Sequence, residues 1–363
     1  MNPEAKNILV FRFGQIGDTV AALPSLWALR KQFAGARIVI LSEIPAKESH
    51  LPPETVLPKE GLVDGFEKYP GGASIGIYFA SWRKIRRLRK QGFDTLVYLT
   101  PSGRTKRQRL RDQLFFRLCG IQHILGIKGF AENLRPRLSD GTLAWLPKEA
   151  DALLERLKLD GLSVPATGQG CMDLQITEIE RENAGNWWKQ NVGSQDAPNG
   201  WMAICPGGKV SSKLWPVERY AEVIQLLVKQ HKVFPVIIGG KEDRIVATKL
   251  LVSWKTGVSA AGELSVRESA ALMETAQFYL GNDTGVMHLA AAVGIPCVGI
   301  FSARDWPGRW HPYGDGHKVL RFDVPCSGCR LEVCNQQLQC LRGIEAGQVY
   351  GACIAVMKQR NII

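Results

Sequence analysis

Gly281-Asn-Asp-Thr-Gly-Val-Met-His288-Leu-Ala-Ala-Ala-Val-Gly-Ile-Pro296 lays a short acidic and hydroxylic turn directly against the start of an alanine-rich helix. A strand-like run, Ala276 to Leu280, precedes it, and a second, Cys297 to Phe301, follows. A helix that opens between two parallel strands turns its unpaired backbone N–H groups, and the positive end of its dipole, toward whatever lies above the sheet. The stretch therefore reads as an anion site, of a size to take a phosphate, at the edge of a parallel sheet with crossover helices.

The same alternation extends outward in both directions. The first half reads as strand Ile8 to Phe13, helix Thr19 to Gln32, strand Arg37 to Leu41, helix Ala80 to Gln91, strand Thr95 to Leu99 and helix Arg107 to Cys119. After a Gly-, Pro- and Ser-containing stretch, Leu162 to Gly170, a second unit follows. It runs through strand Trp201 to Cys205, helix Val217 to Gln230, strand Val233 to Ile238, helix Asp243 to Val252, strand Phe278 to Leu280, helix Val286 to Val293 and strand Cys297 to Phe301. The fold class expected is α/β, with two Rossmann-like, doubly wound domains facing each other across a cleft and ligands at the carboxyl ends of the strands. The boundaries read as 1–165, 171–342 and a terminal helical segment, 343–363, that can pack back on the N-terminal domain.

With 363 residues and 45% hydrophobic content, the chain has enough apolar material for two cores. The polar start, Met1 to Lys6, leads into an apolar run too short for a signal-peptide core, and no run approaches the 18 or so apolar residues that cross a bilayer. A cytoplasmic location is the expectation.

The formal charge of +12 is unevenly spread. Residues 83–111 alone hold 11 Lys and Arg (Arg83, Lys84, Arg86, Arg87, Arg89, Lys90, Arg104, Lys106, Arg107, Arg109 and Arg111) against the single acid Asp94. A solvated helix face is one reading of such a run. The window offers no interleaved acids for pairing along a helix, which favours an anionic partner. RNA or DNA is an alternative partner, but aromatic residues for stacking are sparse between Arg83 and Arg111.

Nine cysteines without an export signal fit a reducing compartment. Cys119, Cys171, Cys205, Cys297 and Cys353 lie in or near apolar segments and read as core. Cys326, Cys329, Cys334 and Cys340 form a C-x2-C-x4-C-x5-C cluster compact enough for zinc or an iron–sulfur centre. The irregular spacing of the second pair argues for free or adventitiously paired thiols, so no metal and no cofactor is expected.

Three further loops carry chemistry. Phe11-Arg-Phe-Gly-Gln-Ile-Gly-Asp18 ends the first strand with Gly14, Gly17 and an aspartate ahead of the helix at Thr19. Its spacing is not the dinucleotide fingerprint. Asp18 reads as an N-cap, and as a carboxylate able to take a proton from a hydroxyl. Pro206-Gly-Gly-Lys-Val-Ser-Ser-Lys-Leu-Trp-Pro216 offers Gly207, Gly208, Lys209 and Lys213 to an anion without the residue order of a P-loop. Gly239-Gly-Lys-Glu-Asp243 ends another strand with an acid able to cap a helix or bond a ribose diol. His288 falls in the first turn of a helix, where the dipole disfavours its cation and a neutral imidazole can donate to a phosphate or hydroxyl.

Taken in order, Arg-Phe-Gly-Gln-Ile-Gly-Asp18, Pro-Gly-Gly with Lys213-Leu-Trp-Pro, Gly-Gly-Lys-Glu-Asp243 and Asn-Asp-Thr-Gly-Val-Met-His288 resemble the bacterial heptosyltransferases of glycosyltransferase family 9. The resemblance implies a GT-B fold. Its C-terminal domain would bind a nucleotide-sugar, ADP-L-glycero-β-D-manno-heptose in the usual case, and its N-terminal domain the lipopolysaccharide inner core, with a Kdo or heptose acceptor. By position it implies Asp18 as the general base, Lys213 on the donor diphosphate and Asp243 near the ribose. Asp283, Thr284, Gly285 and His288 then form the turn that holds sugar and phosphates, with Gly208 and Lys209 beside them. Gly14, Gly17, Arg104 and Arg107 fall on the acceptor side. Where members resembling the first core transferase often carry adjacent threonines, this chain has Gly208 and Lys209. The cysteine cluster, followed by Cys340-Leu-Arg-Gly-Ile, looks like a feature of many members. The reaction implied is an inverting, metal-independent transfer, carried out peripherally on the inner face of the inner membrane. Phosphorylated lipid A, Kdo carboxylates and an anionic surface would then be partners for the basic window, with Ile85, Leu88 and Trp82 set either against lipid or in the core.

Overall fold

The computed structural model describes residues 5–44, 51–58, 60–69, 75–130, 136–193 and 200–363, with the side chains of 69 and 75–82 left aside. Contacts divide the chain into two units, the first made of 1–136 and 147–174, the second of 137–146 and 175–363.

The first unit is built on a five-stranded sheet of β1 (Asn7–Phe11), β2 (Arg37–Glu43), β3 (Gly65–Tyr69), β4 (Thr95–Tyr98) and β5 (His123–Leu125), in the order β3-β2-β1-β4-β5. Every pairing is parallel, with Phe11 opposite Leu41 on one side and Tyr98 on the other. Crossovers are made by α1 (Ile16–Gln32), α2 (Ile75–Lys90) and α3 (Lys106–Leu118), and α4 (Glu149–Leu159) packs on α1. β1 and β4 are apolar because a central parallel strand is covered on both faces. Leu9 and Phe11 face one core with Leu88 of α2 and Phe116 of α3. α1 is buried at every position from Thr19 to Leu26, and the helix continues through Pro24.

The second unit repeats the plan. Its sheet holds β6 (Trp201–Cys205), β7 (Phe234–Ile237), β8 (Val258–Ser259), β9 (Phe278–Asn282), β10 (Cys297–Phe301) and β11 (Lys318–Arg321), ordered β11-β10-β9-β6-β7-β8 and parallel throughout. The helices are α5 (Glu178–Asn191), α6 (Val217–His231), α7 (Arg244–Trp254), α8 (Val266–Met273), α9 (Gly285–Ala292), α10 (Gln339–Arg342) and α11 (Ala346–Gln359). Numbered within each sheet, both orders are of the 3-2-1-4-5 type, so the order of strand addition reverses between β1 and β4 in one unit and between β6 and β9 in the other. Ligands of open α/β sheets sit at such switch points.

Several expectations are revised. The terminal helix forms as α11, and its Val349, Cys353, Val356 and Met357 join Tyr220, Val223 and Ile224 of α6 in the second unit's core. The stretch Leu162 to Gly170 belongs to the first unit, and 137–146 is lent to the second. There the Leu146 N–H donates to the Pro307 carbonyl at 2.9 Å and Arg137 Nη2 to that of Ser327 at 2.8 Å. The helix expected at Thr19 begins at Ile16, which moves Asp18 from the cap into the first turn.

Cys171 is exposed, whereas Cys119, Cys205, Cys297 and Cys353 are buried as expected. The charge run at 83–111 is partly spent inside the first unit. Glu67 on β3 takes Lys84 at 2.5 Å and Arg87 at 2.8 Å, and Asp112, one residue past the window, takes Arg104 at 2.7 Å and Arg111 at 3.1 Å. Leu88 lies in the core and Ile85 packs against it, while Trp82 falls outside the described side chains. Among the described residues no helix is long and apolar enough to cross a membrane.

Candidate active site

At the β6–β9 switch point, Asn282 ends β9 fully buried and makes four hydrogen bonds. Its Oδ1 accepts from the Trp215 N–H at 3.1 Å and the Tyr220 hydroxyl at 3.0 Å. Its Nδ2 donates to the carbonyls of Pro206 at 2.8 Å and Gly207 at 3.1 Å. One amide thus ties the loop after β6 to the turn after β9 and to the start of α6. The sequence reading passed over this residue, although an asparagine between a buried strand and a helix start is a signal that the backbone there needs both a donor and an acceptor.

Next to it, Asp283 accepts the Lys213 ammonium at 2.5 Å, with side chains 9% and 18% exposed. The lysine comes from a single 3-10 turn, Ser211–Lys213. Thr284 takes the cap position of α9 in extended geometry, its hydroxyl 3.7 Å from Cys205 Sγ and 3.5 Å from the Tyr279 hydroxyl, and Gly285 opens the helix. His288 lies one turn in, buried, edge-on to Trp310 at 6.3 Å. The turn therefore joins a helix N-terminus, a lysine and a carboxylate in one cluster. The unpaired N–H groups and Lys213 favour an anion, and Asp283 holds the lysine in place.

Lys209 is exposed beside this cluster. Desolvation lowers its pKa, against the opposing pull of Glu242 and Asp243. Asp243 lies between two loops of the same unit. It is buried, and its Oδ2 accepts from the Gly240 N–H at 2.9 Å. Burial pushes its carboxyl above the ordinary range, with the backbone N–H groups of Gly240 and Gly208 pulling the other way. A Cβ placed on Gly207 would stand 1.8 Å from Asp243 Oδ1. The carboxylate thus fills the space that glycine leaves and pins the loop after β6 to the loop after β7. In the structure Asp243 clamps the loop after β6 to the loop after β7.

In the first unit, Asp18 sits in the first turn of α1 with its side chain 25% exposed. Its Oδ2 accepts the Gln15 N–H at 2.8 Å, which is half of a capping box. Buried Arg12 donates from Nη1 to the Leu99 carbonyl at 2.6 Å and from Nη2 to the Asp18 carbonyl, and Nη2 lies 3.9 Å from Asp18 Oδ1. Gly14 has φ +124°, and a Cβ there would meet the Asp18 side chain at 2.5 Å, so the turn requires glycine. Gly17 lies inside α1. Arg104 stacks over Phe13 at 5.0 Å and pairs with Asp112, while Arg107 is exposed on α3. Arg12 was absent from the expected set. A buried arginine immediately after a strand was the signal that pointed to it.

The four clustered cysteines also come together, lining one small hollow in the second unit.

The family profile described as Glycosyltransferase family 9 (heptosyltransferase) matches residues 166–339. The chain is similar to lipopolysaccharide heptosyltransferase 2 of Escherichia coli, with 27% identity over 156 residues, 41% of this chain and 42% of that protein. It also resembles lipopolysaccharide heptosyltransferase 1 of Pseudomonas aeruginosa, with 25% identity over 43% of this chain and 44% of that one. These matches span less than half the length of either relative. Among solved structures, a family 9 glycosyl transferase from Veillonella parvula superposes with TM-score 0.74 at 18% identity, covering 99% of both chains. E. coli ADP-heptose lps heptosyltransferase II superposes with TM-score 0.65 at 20% identity over 98% of this chain and 99% of that one. The structural likeness bears on the fold, a two-domain Rossmann-like architecture. The profile match runs through the loops of the second unit just described, so that segment is similar to glycosyltransferase family 9.

Proposed function

We propose that the protein is a lipopolysaccharide heptosyltransferase that moves a heptose from ADP-L-glycero-β-D-manno-heptose to a sugar of the inner core. The observation that carries this reading is the cluster at the β6–β9 switch point, with Lys213 and Asp283 2.5 Å apart at the N-terminus of α9, in a chain whose profile match covers that cluster.

In this reading the second unit holds the donor diphosphate on the α9 N–H groups, Lys213 and Lys209. Asp18 takes the proton of the acceptor hydroxyl as its oxygen attacks the anomeric carbon. The bond from that carbon to the diphosphate oxygen breaks with inversion. The growing negative charge on the leaving group is met by groups already in place, which is where fixed dipoles and cations contribute most. No divalent cation has a part in this scheme.

Association with an anionic membrane surface is part of the proposal. It is supported by α3, where Leu110, Leu114 and Leu118 are each more than half exposed, at a spacing of four residues, on a helix that also carries Lys106, Arg107, Arg111 and Arg117. An apolar stripe flanked by cations suits an anionic interface.

Titration calorimetry with ADP, UDP and GDP tests the donor: binding confined to ADP is expected, and indifference to ADP removes the heptose assignment. Binding of another nucleotide with turnover of its sugar would keep the chemistry and change the donor.

A further inference from the structure

We propose that Arg12 is a positioning residue for the transfer: its guanidinium fastens the first turn of α1 to the ends of β1 and β4, so that Asp18 presents Oδ1, rather than Oδ2, to the acceptor hydroxyl. This role rests on the reading of Asp18 as the general base.

Arg12 stands directly after β1, and its backbone is still aligned with β2, its N–H donating to the Leu41 carbonyl at 3.0 Å. Beside it the Leu99 N–H donates to the Phe11 carbonyl at 3.1 Å, which sets the end of β4 against the end of β1. From there the side chain reaches two further segments. Nη1 donates to the Leu99 carbonyl at 2.6 Å, and Nη2 donates to the Asp18 carbonyl in the first turn of α1. A guanidinium is a planar fork whose donors keep fixed angles, so it sets the distance between two acceptors as well as bonding each. Arg12 is only 2% exposed. A cation taken out of water is costly unless hydrogen bonds offset the lost hydration, and here they come from the two carbonyls that have to be held apart.

A second buried arginine firms the same strand end. Arg156 of α4 donates from Nη2 to the Thr100 carbonyl at 2.9 Å, and its guanidinium lies over the Phe130 ring at 4.7 Å. Leu99 and Thr100 are thereby fixed by groups from two elements, and Arg12 draws α1 against a strand end that is itself anchored.

The carboxylate is constrained from its other side. Asp18 Oδ2 accepts the Gln15 N–H at 2.8 Å, and the side chain lies over Gly14, where a Cβ would stand 2.5 Å from it. Oδ1 faces Arg12 Nη2 at 3.9 Å, beyond hydrogen-bond reach. One oxygen is therefore engaged by an amide, while the other lies near a cation that does not bond it. A general base needs a carboxylate held still with an oxygen open to the incoming proton, and Oδ1 meets both requirements only while the turn is held in register with the strand ends.

The test is steady-state kinetics of the full-length chain with ADP-L-glycero-β-D-manno-heptose and Kdo-bearing lipid A or its heptosylated form, beside calorimetry with ADP. Arg12→Lys keeps the buried charge and loses the fork. It is expected to lower kcat about tenfold, and Arg12→Gln about a hundredfold, the scale set by an ångström of misplacement at a reacting group. ADP affinity and the KM for the nucleotide-sugar should hold, because the donor loops belong to the other unit. Methylguanidinium added to folded Arg12→Ala should restore part of the lost turnover. In an Asp18→Asn background, Arg12→Gln should cost less than about twofold, since the group it aims is already gone. Equal losses in both backgrounds, or full turnover in folded Arg12→Gln, overturn the role of Arg12. If Arg12→Gln fails to fold, as read by circular dichroism, Arg12→Lys carries the same cycle. An Asp18→Asn variant with the turnover of the unaltered chain would instead remove the base assignment, and the aim attributed to Arg12 with it. ADP binding is read apart from both and bears on the donor alone.

Discussion

At Asp18 the capping role seen in the structure and the proposed role as general base can be separated by measurement. Its bond to the Gln15 N–H is worth about 1 kcal/mol of helix stability by analogy with other caps. General-base catalysis contributes about 10²–10⁴-fold. Asp18→Ala is therefore expected to lower kcat by roughly that factor with only a small drop in melting temperature and unchanged ADP affinity; full turnover in this variant would remove Asp18 as the base. Asn282 has the opposite profile. Asn282→Ala leaves the Tyr220 hydroxyl, the Trp215 N–H and two carbonyls without a buried partner. The expected loss is about 3 kcal/mol or more in urea unfolding, and a loss under about 1 kcal/mol would show that water replaces the amide. Both residues occupy strand-to-helix turns, yet the Asp18 side chain is one quarter exposed and Asn282 is sealed to hold loops.

Among elements, the loops after β6 and β7 behave as one unit because Asp243 fills the space beside Gly207. Gly207→Ala would set a methyl group 1.8 Å from Asp243 Oδ1, so one loop has to move. ADP affinity and stability should both fall in Gly207→Ala. Because the clash needs the carboxylate, Gly207→Ala with Asp243→Ala should be little worse than Asp243→Ala alone. Additive losses in that cycle would mean that the two loops are not coupled through this contact. The carboxyl's raised pKa gives it a distinctive pH sign. The native state holds the proton to higher pH than the unfolded chain, so the contribution of Asp243 is present at low pH and is lost as pH rises through the raised value. The edge strands tell a different story about legibility. β3 carries Glu67 and Lys68, β8 has two residues and β11 is only partly buried, so none shows the apolar run that identified β1, β6, β9 and β10. An edge needs less burial than a centre, and its sequence is accordingly less marked.

Over the whole molecule, acid stability should depend on the buried pairs Lys84–Glu67 in the first unit and Arg267–Glu180 in the second. Glu67 is pushed up by burial, but its bonds from Lys84, Gln91 and Arg87 outweigh that and hold it below the ordinary value; Glu180 is held down in the same way by Arg267. A native pKa below the unfolded 4.5 means stability that is present above that value and lost as pH falls through the native one. The urea midpoint should therefore fall steeply below about pH 5, and Glu67→Gln and Glu180→Gln should each flatten the profile while lowering the midpoint at pH 7. A flat profile in the unaltered chain would show that these pairs form equally in the unfolded state.

The alternation of strand and helix and the two parallel sheets were legible along the chain, because periodic burial and glycine-rich strand ends are local requirements written in consecutive residues. The strand end and helix start at 281–288 were legible for the same reason. What folding alone decided was the pairing of groups far apart in sequence. Lys213 reaches Asp283, Asp243 fits beside Gly207, Glu67 neutralises part of the basic window, and four thiols meet around one hollow. Such pairings depend on strand order and on which loops the sheet brings side by side, and no local pattern encodes them.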